Sequence, residues 1–137
     1  MGLIIDTSAL VALERRKADV GPALAAFVAE PVALPMIVWA ELLIGVRLAR
    51  TAGSAAKRRA RLEQLRLHVP LVEFSDETAE HYADIYAECA SAGTPLPQND
   101  MAVAATARQL GYRVLVGSAD EAHFRRVQGL DVVVLPG

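Results

Sequence analysis

The stretch GLIIDTSAL, residues 2–10, decides the fold that this sequence predicts, because an apolar run ends there at a carboxylate. An uninterrupted apolar run of this length is typical of a strand buried on both faces, and we predict a strand over residues 2–6. A helical pattern begins at about Ser8 and continues to Glu14. Asp6 therefore stands where a buried strand ends. A charged residue at that point needs either a structural or a functional reason.

The composition of the 137-residue chain is typical of one globular domain, and we expect residues 1–137 to fold as one. The hydrophobic fraction of 53% is ample for a core. No apolar run approaches the ~20 residues that span a bilayer, and no basic segment precedes the first apolar stretch as in a secretory signal. The single cysteine, Cys89, excludes an internal disulfide and zinc sites built from cysteine pairs. These features predict a cytoplasmic protein.

Short apolar runs alternate with helical patterns along the chain. We predict strands at residues 2–6, 31–35, 70–74, 113–118 and 131–136. We predict helices at residues 8–14, 20–30, from Pro35 to about Leu48, from about Ser54 to Leu67, 75–91 and 98–112. Ser75 with Thr78 indicates a helix start, and Gly111 indicates a helix end. This alternation predicts the α/β class, with a parallel sheet and helices on both faces, and ligands bind beyond the carboxyl ends of such strands.

Four carboxylates stand out against apolar surroundings. They are Asp6, Glu41, Asp100 and Asp120. Each has a structural alternative, since Asp6 and Asp100 could cap helices, Asp120 could open a helical turn and Glu41 could lie on an exposed stripe. Glu41 is the most informative, because a carboxylate among almost entirely apolar neighbours needs a partner if it is buried. Carboxylates that converge in one cleft repel one another, and a hard divalent cation such as Mg²⁺ or Mn²⁺ removes that repulsion.

The histidines give weaker signals. His123 comes three residues after Asp120, and we expect it to pack or cap near Phe124 rather than to act in the site. We expect structural roles for His68 and His81.

Half of the fourteen basic residues lie between Arg47 and Arg66. One interpretation is a solvated helix face, and the other is a surface that contacts nucleic-acid phosphates. The candidate phosphate contacts are Arg47, Arg50, Lys57, Arg58, Arg59 and Arg61.

Three segments resemble PIN-domain proteins, especially the bacterial VapC toxins. They are LIIDTSAL at residues 3–10, WAELLIGV at 39–46 and the segment from PQND to VVVLP at 97–136. The resemblance implies a three-layer α/β/α fold of PIN type. It also implies that Asp6, Glu41 and Asp100 match the three core acids of the family. Asp120 matches a more variable fourth acid, the accessory polar positions are Thr7, Ser8 and Asn99, and Ser118 stands where many relatives carry threonine.

What the resemblance implies for function is a Mg²⁺-dependent endoribonuclease, with Mn²⁺ able to substitute. Such a protein is the toxin of a type II toxin–antitoxin pair, and its expected substrate is a structured translation RNA such as tRNA. The resemblance further implies a homodimer and inhibition by a cognate antitoxin. The alternative is a catalytically silent PIN-like module that binds RNA or protein.

Overall fold

The computed structural model describes residues 1–16 and 29–135. Its strands are β1 (Leu3–Ile5), β2 (Val32–Pro35), β3 (Leu71–Val72), β4 (Arg113–Val116) and β5 (Val132–Val134). Its helices are α1 (Thr7–Arg15), α2 (Met36–Arg47), α3 (Ala52–His68), α4 (Asp76–Ala92), α5 (Gln98–Leu110) and α6 (Glu121–Arg125). Apart from the helix predicted at residues 20–30, the predicted elements are confirmed to within a few residues at each end. Of the helix predicted at residues 20–30, residues 20–28 lie outside the described residues.

The five strands of the described residues are all parallel, in the order β3-β2-β1-β4-β5. The chain adds strands on one side of β1 and then returns to add β4 and β5 on the other side. The boundary between β1 and β4 is therefore the point at which the strand order reverses. In open α/β sheets this is where a crevice forms beyond the carboxyl ends of the strands.

Both faces of the sheet are covered. Leu3, Ile4 and Ile5 are each fully buried, and consecutive side chains of a strand point to opposite faces. The same holds for Val114 to Val116 in β4. Helix α5 has an unbroken buried run from Met101 to Ala107, and its small side chains allow it to contact β1, β2 and β4. This burial confirms a parallel α/β sheet between layers of helices.

The helix termini follow local sequence signals. Ser75 and Thr78 form a capping box at the start of α4, in which each side chain bonds the other residue's backbone N–H. Gly111 ends α5 in the left-handed conformation with φ of 68°. Both predicted signals are confirmed.

The face of helix α2 that packs against the core is not the face that the sequence predicts. In the helix predicted after Pro35, apolar residues recur at spacings of three and four: Ile37, Ala40, Ile44 and Leu48. Ile44 and Leu48 are nevertheless 54% and 74% exposed, whereas Val38, Trp39 and Val46 are buried. The reason is that α2 is apolar on almost every side, so periodicity alone did not identify the face that packs. Among the described residues, no helix is both long enough and apolar enough to cross a membrane.

Candidate active site

The site lies beyond the carboxyl ends of β1 and β4, where the strand order reverses. The backbone N–H of Asp6 donates to the Leu115 carbonyl at 2.9 Å, which continues the β1–β4 ladder to the end of the strand. Asp120 follows β4 by a turn of three residues. The sheet thus brings together two carboxylates that are more than a hundred residues apart in sequence.

Asp6 is almost fully buried, with 2% of its surface exposed. Its carboxylate caps α1 by accepting the Ser8 backbone N–H at 3.1 Å, so the capping alternative is confirmed for this residue. The Ser8 hydroxyl also donates to Asp6 Oδ2 and accepts the Gly117 backbone N–H at 2.9 Å. Ser8 therefore links the end of β1 to the end of β4 and fixes the orientation of the Asp6 carboxylate.

Glu41 projects from α2 towards the same place. Its Oε1 accepts a hydrogen bond from the Thr7 hydroxyl at 2.8 Å, across 34 residues of sequence. Glu41 is half-buried, so the exposed-stripe alternative is wrong for it. Thr7 and Ser8 are thus both in contact with a predicted site carboxylate.

Asp100 lies in the first turn of α5 but does not cap it. The N-cap is Pro97, and Asp100 makes no side-chain capping bond, but its place in the first turn agrees with the alternative that its charge interacts with the helix dipole. Its Oδ2 instead lies 2.7 Å from His123 Nδ1, and the same nitrogen lies 3.8 Å from Asp120 Oδ1. The expectation that His123 only packs near Phe124 is wrong. Its spacing of three residues from Asp120, one helical turn, was the signal in the sequence.

The carboxylates perturb one another. Burial raises the pKa of Asp6 to about 7, the hydrogen bonds from Ser8 oppose that rise, and the charges of Asp100 and Asp120 add to it. Burial and then the charge of Asp120 raise the pKa of Asp100, His123 lowers it, and Glu41 raises it further. Asp100 and Asp120 thus act on Asp6, and Asp120 and Glu41 act on Asp100. These interactions connect the four predicted acids, which we call the acidic cluster: Asp6, Glu41, Asp100 and Asp120.

The acidic cluster has the donor chemistry of a divalent-cation site. Carboxylate oxygens are the ligands that hard cations prefer, and mutual repulsion is relieved when a cation lies between them. Ligand atoms of Asp100, Asp120 and His123 all lie within 4.8 Å of one another. Asn99 precedes Asp100 in the sequence, Ser118 comes two residues before Asp120, and both residues are exposed.

The basic residues between Arg47 and Arg66 differ from one another in the contacts that they make. Arg58 donates to the Gly45 carbonyl at 2.8 Å, and this bond ties α3 to α2. Arg59 pairs with Glu63 at 3.0 Å, and Arg61 approaches Glu14 at 3.7 Å. The remaining candidates are exposed residues on α2, α3 and their connection: Arg47, Arg50 and Lys57.

Comparison with known proteins gives consistent matches over the chain. A sequence profile of the PIN domain matches residues 3–130. Ribonuclease VapC1 of Rickettsia felis is 35% identical over 98% of this chain and 97% of that protein. Ribonuclease VapC of Rickettsia bellii is 29% identical over 99% of this chain and 98% of that protein.

A solved structure also matches over nearly the full length. The crystal structure of VapBC2 from Rickettsia felis, bound to a DNA fragment from its promoter, superimposes with a TM-score of 0.86. The alignment covers 99% of this chain and 100% of that chain at 20% identity. This likeness confirms the three-layer arrangement of a parallel sheet between helices.

Proposed function

The chain belongs to the PIN domain family, and from this premise we propose that it is a divalent-metal-dependent endoribonuclease, the toxin of a VapBC-type pair. The observation that carries the proposal is the convergence of four carboxylates where the strand order reverses. Burial and mutual repulsion raise the pKa of Asp6 and Asp100, so the folded protein holds their negative charges at a cost unless a cation is present. Relatives named Ribonuclease VapC support the reaction class.

The acidic cluster would hold the cation, Mg²⁺ with Mn²⁺ able to replace it. When bound, the ion supplies positive charge beside the phosphate and lowers the pKa of water. The protein's own contribution is to fix the carboxylates before RNA arrives. Ser8 orients Asp6, Thr7 orients Glu41 and His123 contacts Asp100, so each of these acids has a partner within hydrogen-bond distance.

We propose that the substrate is a structured translation RNA such as tRNA. Aromatic residues make up only 5% of the chain, so few side chains can stack on unpaired bases. Exposed Arg47, Arg50 and Lys57 offer positive charge along α2 and α3 for the phosphate backbone. Recognition by shape and charge suits an RNA that presents its phosphates in a fixed three-dimensional arrangement.

We also propose that the protein is a cytoplasmic homodimer restrained by a cognate antitoxin. An arginine of the antitoxin, placed among the carboxylates of the acidic cluster, would replace the charge of the cation. Several large apolar side chains are exposed and offer area for association: Ile44, Leu48, Leu67, Phe74 and Tyr86. A monomer mass by light scattering at tens of micromolar would count against the dimer.

The activity is tested by incubating the purified protein with end-labelled tRNA and with an unstructured RNA of similar length. We expect discrete cleavage products with Mg²⁺ or Mn²⁺, none with EDTA, and preference for the tRNA. Glu41→Gln purified in the same way controls for a contaminating ribonuclease. Binding of RNA without cleavage under every metal condition would instead favour the catalytically silent module.

A further inference from the structure

We propose that His123 supplies a nitrogen ligand to the metal site, so that this site prefers a first-row transition ion such as Mn²⁺ over Mg²⁺. The inference rests on the proposed function, because it concerns the same acidic cluster. It adds an imidazole nitrogen to a set of ligands that otherwise consists of carboxylate oxygens.

The position of the imidazole carries the inference. His123 Nδ1 faces two carboxylates at once, lying 2.7 Å from Asp100 Oδ2 and 3.8 Å from Asp120 Oδ1. Donor atoms that share one cation at about 2.1 Å lie roughly 3–4 Å from one another, so the separation from Asp120 already fits a shared ion. The separation from Asp100 is a hydrogen-bond distance, and it would widen by roughly 0.3 Å when a cation replaces the proton between the two atoms. The nearness of His123 to Asp120 follows from their spacing of one helical turn, whereas the contact with Asp100 joins two helices. Together they bring ligand atoms of all three residues within 4.8 Å of one another.

The local fold holds the imidazole in this place. Asp120 and His123 share one turn at the start of α6, where the His123 and Phe124 backbone N–H groups donate to the Asp120 carbonyl. Phe124 is fully buried and anchors that short helix against the core. The His123 side chain itself is 32% exposed, so an ion can reach it from solvent.

The chemistry of the donor predicts selectivity. Mg²⁺ binds almost entirely through oxygen, whereas affinity for nitrogen-containing sites rises along the first transition row from Mn²⁺. As a ligand, the neutral imidazole carries its proton on Nε2 and presents the Nδ1 lone pair. As a mere orienting partner of Asp100, the imidazole would affect Mg²⁺ and Mn²⁺ equally.

The test is Mn²⁺ binding followed by electron paramagnetic resonance, with Mg²⁺ affinity measured by competition. The proteins are wild type, His123→Ala, His123→Asn and Asp100→Asn, with His68→Ala as the matched control because His68 is exposed on α3. His123→Asn retains a group that can donate to Asp100 but lacks the imidazole. Melting temperatures without metal check that each variant folds.

We expect ¹⁴N hyperfine coupling to bound Mn²⁺ in wild type and His68→Ala, and its loss in both His123 variants. We expect Mn²⁺ affinity to fall by at least about tenfold in both, with less than about a threefold change for Mg²⁺. Equal losses for both ions, or the absence of nitrogen coupling in wild type, would overturn the inference while leaving the acidic cluster intact. Asp100→Asn separates the two proposals, because unchanged metal binding in that variant would contradict the acidic cluster itself.

Discussion

The Gly117 backbone N–H donates to the Ser8 hydroxyl at 2.9 Å, and this bond joins the two strand ends that carry the site. A side chain at position 117 has no room there. A Cβ on Gly117 would lie 2.6 Å from the Ser8 carbonyl oxygen and 3.0 Å from its carbonyl carbon. Since both atoms belong to the backbone at the start of α1, the contact can be relieved only by moving that turn away from the end of β4.

Gly117→Ala is therefore expected to destabilise the protein by about 1–3 kcal/mol, as overpacked sites do. Cleavage should fall as well, because Ser8 orients Asp6. Gly45→Ala is the matched control, since nothing lies within 4 Å of its Cβ position and it lies inside α2. The free energy of unfolding of Gly45→Ala should rise by up to about 1 kcal/mol, because alanine has a higher helix propensity than glycine. Denaturant melts of both variants measure the difference, and equal stabilities would show that the close contact is relieved without cost.

Thr7 orients Glu41, so removing its hydroxyl should affect the reaction more than the fold. Thr7→Val keeps the shape but removes the donor of the 2.8 Å hydrogen bond to Glu41. We expect a fall in metal-dependent cleavage of roughly tenfold, the lower end of the range for partners of metal-binding groups. Thr7→Ser keeps the donor and should remain close to wild type. Similar rates for the valine and serine variants would remove Thr7 from the site.

The raised pKa of Asp6 predicts a dependence of stability on pH. In the folded protein this pKa is about 7, against an ordinary value of 3.8, so between these values the folded state binds more protons than the unfolded state. The penalty is absent below about pH 4, grows as pH rises and is complete above pH 7. Asp6→Asn retains a capping side chain but has no charge to desolvate. Its stability relative to wild type should rise by roughly 3–4 kcal/mol between pH 4 and pH 8. Denaturant melts in EDTA measure this difference, and a flat difference across that range would contradict the burial of a charge at Asp6.

The exposed basic residues predict how binding depends on salt. Lys57→Gln should weaken RNA binding and reduce the slope of log affinity against log salt by about 0.7–0.9, as expected for one phosphate contact. Arg59→Gln is the control on the same helix, because Arg59 already pairs with Glu63 at 3.0 Å. Arg59→Gln should therefore reduce the salt slope of RNA binding by less than Lys57→Gln does. Binding to catalytically inactive protein across a salt titration measures both, and an unchanged slope for Lys57→Gln would assign this surface to something other than RNA.

Local signals predicted the strand ending at Asp6, the capping box at Ser75 and the helix end at Gly111, because each depends on residues a few positions apart. The apolar surroundings of Glu41 and Asp100 singled them out, and the resemblance then matched them, with Asp6, to the core acids of the family. The contact of His123 with Asp100 was missed because it forms between the starts of two helices that only the folded sheet brings together. The exposure of Ile44 was missed for a related reason. An all-apolar helix has no periodicity that distinguishes its packed face from its open face.

The role of Asp100 is the central claim, and a single substitution tests it. Asp100→Asn removes a negative charge with little change in volume. Because Asp100 makes no side-chain capping bond, the fold loses only the interaction of that charge with the dipole of α5, about 0.3–1 kcal/mol. Asp84→Asn, at an exposed position of α4, is the matched control.

The decisive measurement is RNA cleavage by Asp100→Asn across a Mg²⁺ and Mn²⁺ titration, with a denaturant melt in EDTA on the same preparation. We predict a fall in cleavage of at least about a hundredfold, the scale of losing a positioned charge-stabilising group. Stability should remain within about 1 kcal/mol of wild type, or rise as repulsion within the acidic cluster is relieved. Asp84→Asn should cleave like wild type. Cleavage by Asp100→Asn close to wild type at low metal concentration would contradict the proposed site.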